Sequence, residues 1–132
     1  MPKPGWTDLI AVMLLVVVFS GGGGSGLPVS EPGLHVLIIE ETEARSELGP
    51  GQFAIINSVP MSRFLDESCV EDGWRVWDKD TDVTREADFW QEAMKVNRSS
   101  VPWLIVWNGN RGASGSLPAT VEATKTVIEK YK

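Results

Sequence analysis

Two side chains in this sequence are of types that carry covalent or proton-transfer chemistry, Cys69 and His35, and each is the only one of its kind among 132 residues. A nucleophile needs a base within hydrogen-bond reach, and His35 has no serine or cysteine near it in a recognisable nucleophile motif. A single cysteine excludes both an internal disulfide and a dithiol, so the redox compartment cannot be read from a disulfide framework. Cys69 follows Leu65 by four residues, on the apolar face of a predicted helix and at its C-terminal end, where the helix dipole disfavours a thiolate. Two readings of it stay open: a buried core cysteine, or a redox or intermolecular thiol.

The acidic residues form patterns without a complete motif. Asp78-Lys79-Asp80-Thr81-Asp82 begins like a calcium loop, but Val83 and Phe89 occupy the places where glycine and glutamate are required. It reads as a solvated turn. Glu40, Glu41, Glu43 and Glu47 form an acidic stretch in which no spacing forces convergence on a cation. Asn97-Arg98-Ser99 matches a glycosylation acceptor, which matters only in a eukaryotic secretory pathway. No metal or cofactor is expected. The net charge of −6, with no window of clustered Lys or Arg, argues against nucleic acid and anionic membrane surfaces as partners.

The elements that must position these residues are legible from hydrophobic period and punctuation. His35 to Glu40 is a short apolar run suited to a buried strand. Glu41 to Gly51 reads as a loop on its polar residues and Gly-Pro-Gly. Gln52 to Asn57 is ambiguous between a helical turn and a short strand. Ser58 is a predicted N-cap, with Pro60 in the first helical turn and Met61, Phe64, Leu65 and Cys69 on one face.

Trp74 to Lys79 is a second predicted strand. Thr84 is the expected cap of a helix to about Val96, with Phe89, Trp90, Ala93 and Met94 on its apolar side. Pro102 has no N–H for a ladder, so it belongs at the opening of the strand Trp103–Trp107. Asn108 to Asn110 forms a turn, and Arg111 to Ser116 an edge strand. A final helix is expected over about Ala119 to Tyr131. Trp103, Ile105 and Trp107 fall on one strand face, Leu104 and Val106 on the other.

The N-terminus is expected to be an address. Leu9 to Phe19 (LIAVMLLVVVF) is an apolar run preceded by Lys3 and followed by small residues, the layout of a signal peptide. A signal anchor and a buried hydrophobic element are the alternatives, although eleven apolar residues fall short of the roughly 20 that span a bilayer. Either of the first two places the rest of the chain outside the cytoplasm, periplasmic or secreted. The expected organisation is therefore 1–20 signal peptide or anchor, 21–33 a flexible Gly/Ser/Pro linker, and 34–132 one folded domain.

The order β-α-β-α-β-β-α, with Ser100-Val101-Pro102 entering a central strand, resembles the thioredoxin-like fold. That resemblance covers about residues 34 to 132 and is best from Trp74 onward. It implies an α/β three-layer sandwich with a mixed central sheet, preceded here by a hydrophobic helix. Val101–Pro102 corresponds to the family's cis-proline segment. The family's Cys-x-x-Cys would lie just after the first strand, where this chain has Glu40-Glu41-Thr42-Glu43. Dithiol activity is therefore not carried over.

The groove that remains would be lined by Val101, Pro102, Trp103, Glu41 and Thr42, with Trp103 shared between core packing and groove lining. The first functional reading is a non-catalytic domain that binds or scaffolds a protein or peptide, exported and tethered to a membrane if its N-terminal segment is retained. The alternatives are a one-cysteine redox protein using Cys69 and a structural component of a larger, including viral, assembly.

Overall fold

The first strand, β1 (Leu34–Glu40), is buried at every one of its seven positions, so both of its faces must be covered and both of its edges paired. The computed structural model describes residues 29–132; the apolar segment 9–19 and most of the glycine-rich stretch lie outside the described residues. β1 pairs in parallel with β2 (Trp74–Asp78) on one side, Val36 opposite Trp74 and Glu40 opposite Asp78. On the other side it runs antiparallel to β3 (Trp103–Asn108), which pairs in turn with β4 (Arg111–Ser116) through a turn at Gly109. The sheet is mixed and four-stranded, in the order β2-β1-β3-β4. The parallel pair requires a long crossover, whereas β3 and β4 need only a tight turn, and Gly109 there takes φ +65°.

Helices cover both faces of the sheet. On one side lie α1 (Pro50–Asn57), α2 (Val59–Ser68) and α4 (Val121–Glu129). Ile55, Met61, Leu65, Val127 and Ile128 pack there on Val36, Ile38, Leu104 and Val106. The other side holds α3 (Asp88–Met94), whose Trp90 and Ala93 meet Leu37, Ile39, Ile105 and Trp107. The alternation expected along Trp103–Trp107 is thus realised, one residue set to each core. Val29 is buried in this second core, and Gly109 N–H donates to Glu31 C=O at 3.0 Å, so the end of the glycine-rich stretch packs on the domain. Among the described residues no helix is long and apolar enough to cross a membrane.

Two local expectations need correction, and one left open is resolved. Glu41 to Gly51 is not a plain loop: Thr42–Glu47 is a 3-10 helix, and Pro50 opens α1. Proline suits that position because a first-turn N–H has no intrahelical acceptor to lose. Gln52 to Asn57 is therefore helical, and Ser58 ends one helix while capping the next through its hydroxyl, which accepts from Met61 N–H at 3.2 Å. Thr84 caps nothing: its N–H is donated to Asp82, and Gln91 Nε2 bonds the carbonyls of Thr84 and Glu86, holding residues 84–86 as a turn ahead of α3.

α1 and α4 approach closely at Gly51, where an added Cβ would collide with the carbonyl oxygen of Ala119. Gly51→Ala is therefore expected to destabilise the domain by about 1–3 kcal/mol, despite alanine's better helix propensity. Urea unfolding measures this; unchanged or increased stability would contradict the packing described.

Candidate functional site

The register of β1 with its neighbours collects most of the residues singled out above at one end of the sheet. Ile39 lies opposite Trp103 and Glu40 beside Asp78, so the segments Glu40–Thr42, Asp78–Lys79 and Val101–Trp103 emerge together. The Val101–Pro102 peptide is cis. Pro102 C=O accepts from Leu117 N–H at 3.0 Å, which fastens this segment to the end of β4. Val101, Pro102 and Trp103 are all partly exposed. Among the described residues, no backbone hydrogen bond engages either the N–H or the C=O of Val101. The indole N–H groups of Trp103 and Trp107 are buried without an acceptor among those residues.

The acidic stretch is sorted by the fold into three different environments. Glu40, the last residue of β1, is 2% exposed, and a carboxylate so placed needs a charged partner. Arg45 supplies it from the 3-10 helix: Nε donates to one Glu40 oxygen at 2.9 Å and Nη2 to the other. The fork matches the carboxylate's two oxygens. Arg45 also donates to Asn57 at the end of α1, at 3.4 Å. Glu41 is half-buried and paired with Lys79 at 3.4 Å, while Glu43 and Glu47 are exposed. Thr42 turns toward β2, its N–H donated to Asp78 at 2.8 Å. That N–H, with the Asp80 N–H, holds the Asp78 carboxyl down at about 2. Asp78 thus spends one oxygen on Thr42 and the other on its own turn, and Asp82 accepts from the backbone of its own turn.

Cys69 is not part of this assembly. It caps the C-terminus of α2, and its neighbour Val70 donates to Leu34 C=O at 3.1 Å, at the opposite end of β1. A strand of this length separates the two ends by roughly 20 Å. Burial, then the nearby Asp66 carboxylate, pushes the thiol up to about 12. His35 also sits toward that far end. Its ring stacks on Trp107 (centroids 5.2 Å apart), meets Phe89 edge-on, and hydrogen-bonds Gly33 C=O through Nδ1 at 2.8 Å. Burial lowers its pKa. It is a packed aromatic. A shallow cavity of about 210 Å3 near it is lined by Val29, Ser30, Glu31, Asp88, Phe89 and Glu92, and by none of the groove residues.

Sequence reasoning missed Arg45, Lys79 and the structural work of Asp78. A signal for Arg45 existed: a glutamate ending an otherwise apolar buried strand demands a cation, and Arg45 is the first one after it. Comparison with protein-family models, with curated proteins and with solved structures finds no match to this chain.

Removing the cation leaves Glu40 buried and unpaired. Arg45→Ala is expected to cost about 2 kcal/mol, less than for a fully enclosed pair because Arg45 is 34% exposed. The double variant Glu40→Leu/Arg45→Ala should recover part of that loss. Chemical denaturation of the single and double variants decides it, and a change below about 0.5 kcal/mol in Arg45→Ala contradicts the assigned role.

Cys69 supplies a pH test. A thiol raised from 9.0 to about 12 keeps its proton in the folded state. The folded state therefore holds the proton where the unfolded chain has lost it, so stability falls as pH rises from 9 toward 12. Alkylation of the native protein by iodoacetamide should be slow at neutral pH and climb about tenfold per pH unit, without levelling, up to pH 10. A plateau near neutrality would identify a reactive thiolate.

Proposed function

We propose that this chain is a thioredoxin-like domain without the family's chemistry, which binds an extended segment of a protein partner at the β1–β3 end of its sheet. Its strand order, the parallel β1–β2 pair followed by the antiparallel β3–β4 hairpin, and the place of Val101–Pro102 at the entrance to β3 support this reading. So does the absence of any thiol at the groove, since the only cysteine lies at the far end of β1. The observation that carries the reading is the unused N–H and C=O of Val101. An extended peptide running beside this segment can accept from the first and donate to the second, which is strand addition.

Each groove residue then has a role. Val101 supplies the main-chain pairing. Pro102, with no N–H, leaves Val101 as the donor at this edge. Trp103 gives the groove an aromatic wall continuous with the second core. Glu41 and Thr42 form the opposite lip, held by Lys79 and Asp78. The N-terminal apolar segment would export the domain and, where it is retained, tether it to the membrane. The one-cysteine redox reading has against it a thiol pushed up to about 12 and remote from the groove.

A random peptide library displayed on phage tests the proposal. The chain should enrich peptides that bind in extended form. Val101→Pro removes the donor at a position outside the ladder, so it should keep the far-ultraviolet circular dichroism of the parent. It should weaken the selected peptides at least about tenfold, the value of roughly 1.4 kcal/mol. Failure to enrich any peptide, or equal binding to both proteins, would overturn the reading.

A further inference from the structure

The β2 edge of the sheet is a second, independent place where main-chain groups are left over. Val36 N–H donates to Gly73 C=O at 2.9 Å and Lys79 N–H to Glu40 C=O at 2.7 Å. In a parallel ladder these two bonds fix the parity: residues 73, 75, 77 and 79 aim their polar groups at β1, and Trp74, Val76 and Asp78 aim theirs outward. Two of the outward carbonyls are engaged locally, Trp74 C=O by the Arg75 guanidinium and Asp78 C=O by both the N–H and the hydroxyl of Thr81. The N–H groups of Trp74, Val76 and Asp78 and the C=O of Val76 remain. Among the described residues no strand lies beyond β2, and all five of its residues are half-buried.

The strand is short and carries two charges, Arg75 and Asp78, but it lacks the strongest guards. Trp-Arg-Val-Trp-Asp contains no proline and no lysine, which are common guards against edge-to-edge pairing. The strand is also complementary to itself. If two copies meet antiparallel about a two-fold axis at Val76, residue 76 faces residue 76, residue 75 faces 77 and residue 74 faces 78. The two Val76 residues then exchange both N–H···O=C bonds. Each Asp78 N–H reaches the other copy's Trp74 carbonyl, which has a second lone pair to offer, whereas the Asp78 carbonyl is already filled by Thr81.

On the α3 side, Arg75 comes to face the other copy's Trp77. This continues a stack already present within one chain, where its guanidinium lies 5.9 Å from the Trp77 ring and 4.9 Å from Trp90. We infer that β2 is a homodimer edge: two copies join β2 to β2 into one continuous eight-stranded sheet, with the Val101 groove of each copy left free. A net charge of −6 per chain opposes association, so added salt should strengthen this dimer.

Sedimentation velocity of the full chain in a mild detergent tests the inference over a concentration series. The expected result is a concentration-dependent doubling of protein mass, strengthened by salt. Val76→Pro, which deletes the central outward N–H at a position an edge strand tolerates, should weaken association at least about tenfold. Arg75→Glu should weaken it as well, and it decides the matter if the proline variant does not fold. Dimers that persist unchanged in both variants would overturn the inference. So would a monomer at every concentration, including one whose Val76 amide is protected from exchange, which would assign the edge to another segment of the chain.

Discussion

All seven residues of β1 are buried, and this one constraint organises the domain. A strand with no exposed face needs a helical layer on each side, and a strand whose polar groups are all enclosed needs a neighbour on each edge. The crossover through α1 and α2 delivers the parallel neighbour β2, and the β3–β4 hairpin supplies the antiparallel one. The same constraint makes the end of β1 special. The chain leaves the core at Glu40, a carboxylate still enclosed, and Arg45 neutralises it before the chain can turn. The turn that results directs Thr42 toward Asp78 and leaves Val101 without a main-chain partner on the other side.

What the groove can do follows from what surrounds it. Its carboxylates are occupied: Glu40 by Arg45, Glu41 by Lys79, Asp78 by two backbone N–H groups. The thiol and the imidazole, the two groups that could do such chemistry, both lie toward the far end of β1 in settings that suppress their charged forms. The proposed binding mode therefore rests on main-chain pairing at Val101.

Legibility in the sequence followed the range of the interaction. Strands β1 and β3 were readable within a residue or so because burial on both faces leaves nearly unbroken apolar runs, while β2 and β4 were placed by the turn residues that bound them. Ser58 was readable because an N-cap is a contact with a residue three positions on. Thr84 misled for the complementary reason: its capping preference is real, but Asp82 and Gln91 claim the backbone around it. Gly-Pro-Gly at residues 49–51 looked like a breaker, although Pro50 starts α1 and Gly51 is small to admit Ala119 of a distant segment. No local rule contains that contact. The proposed groove residues Val101, Pro102, Trp103, Glu41 and Thr42 were singled out by their place in the strand order, and the register brings their segments to one end of the sheet. The Glu40–Arg45 pair was not, because Glu40 read as one of several solvated acids.

The central claim is that the Val101 main chain is the docking edge of this domain. Amide hydrogen exchange of the full chain, followed by NMR with and without a saturating library-selected peptide, tests it most directly. Strong protection of the Val101 N–H on binding, with the Cys69 end of the sheet unchanged, is the predicted result. Binding that leaves the Val101 N–H exchanging as freely as before would contradict the account.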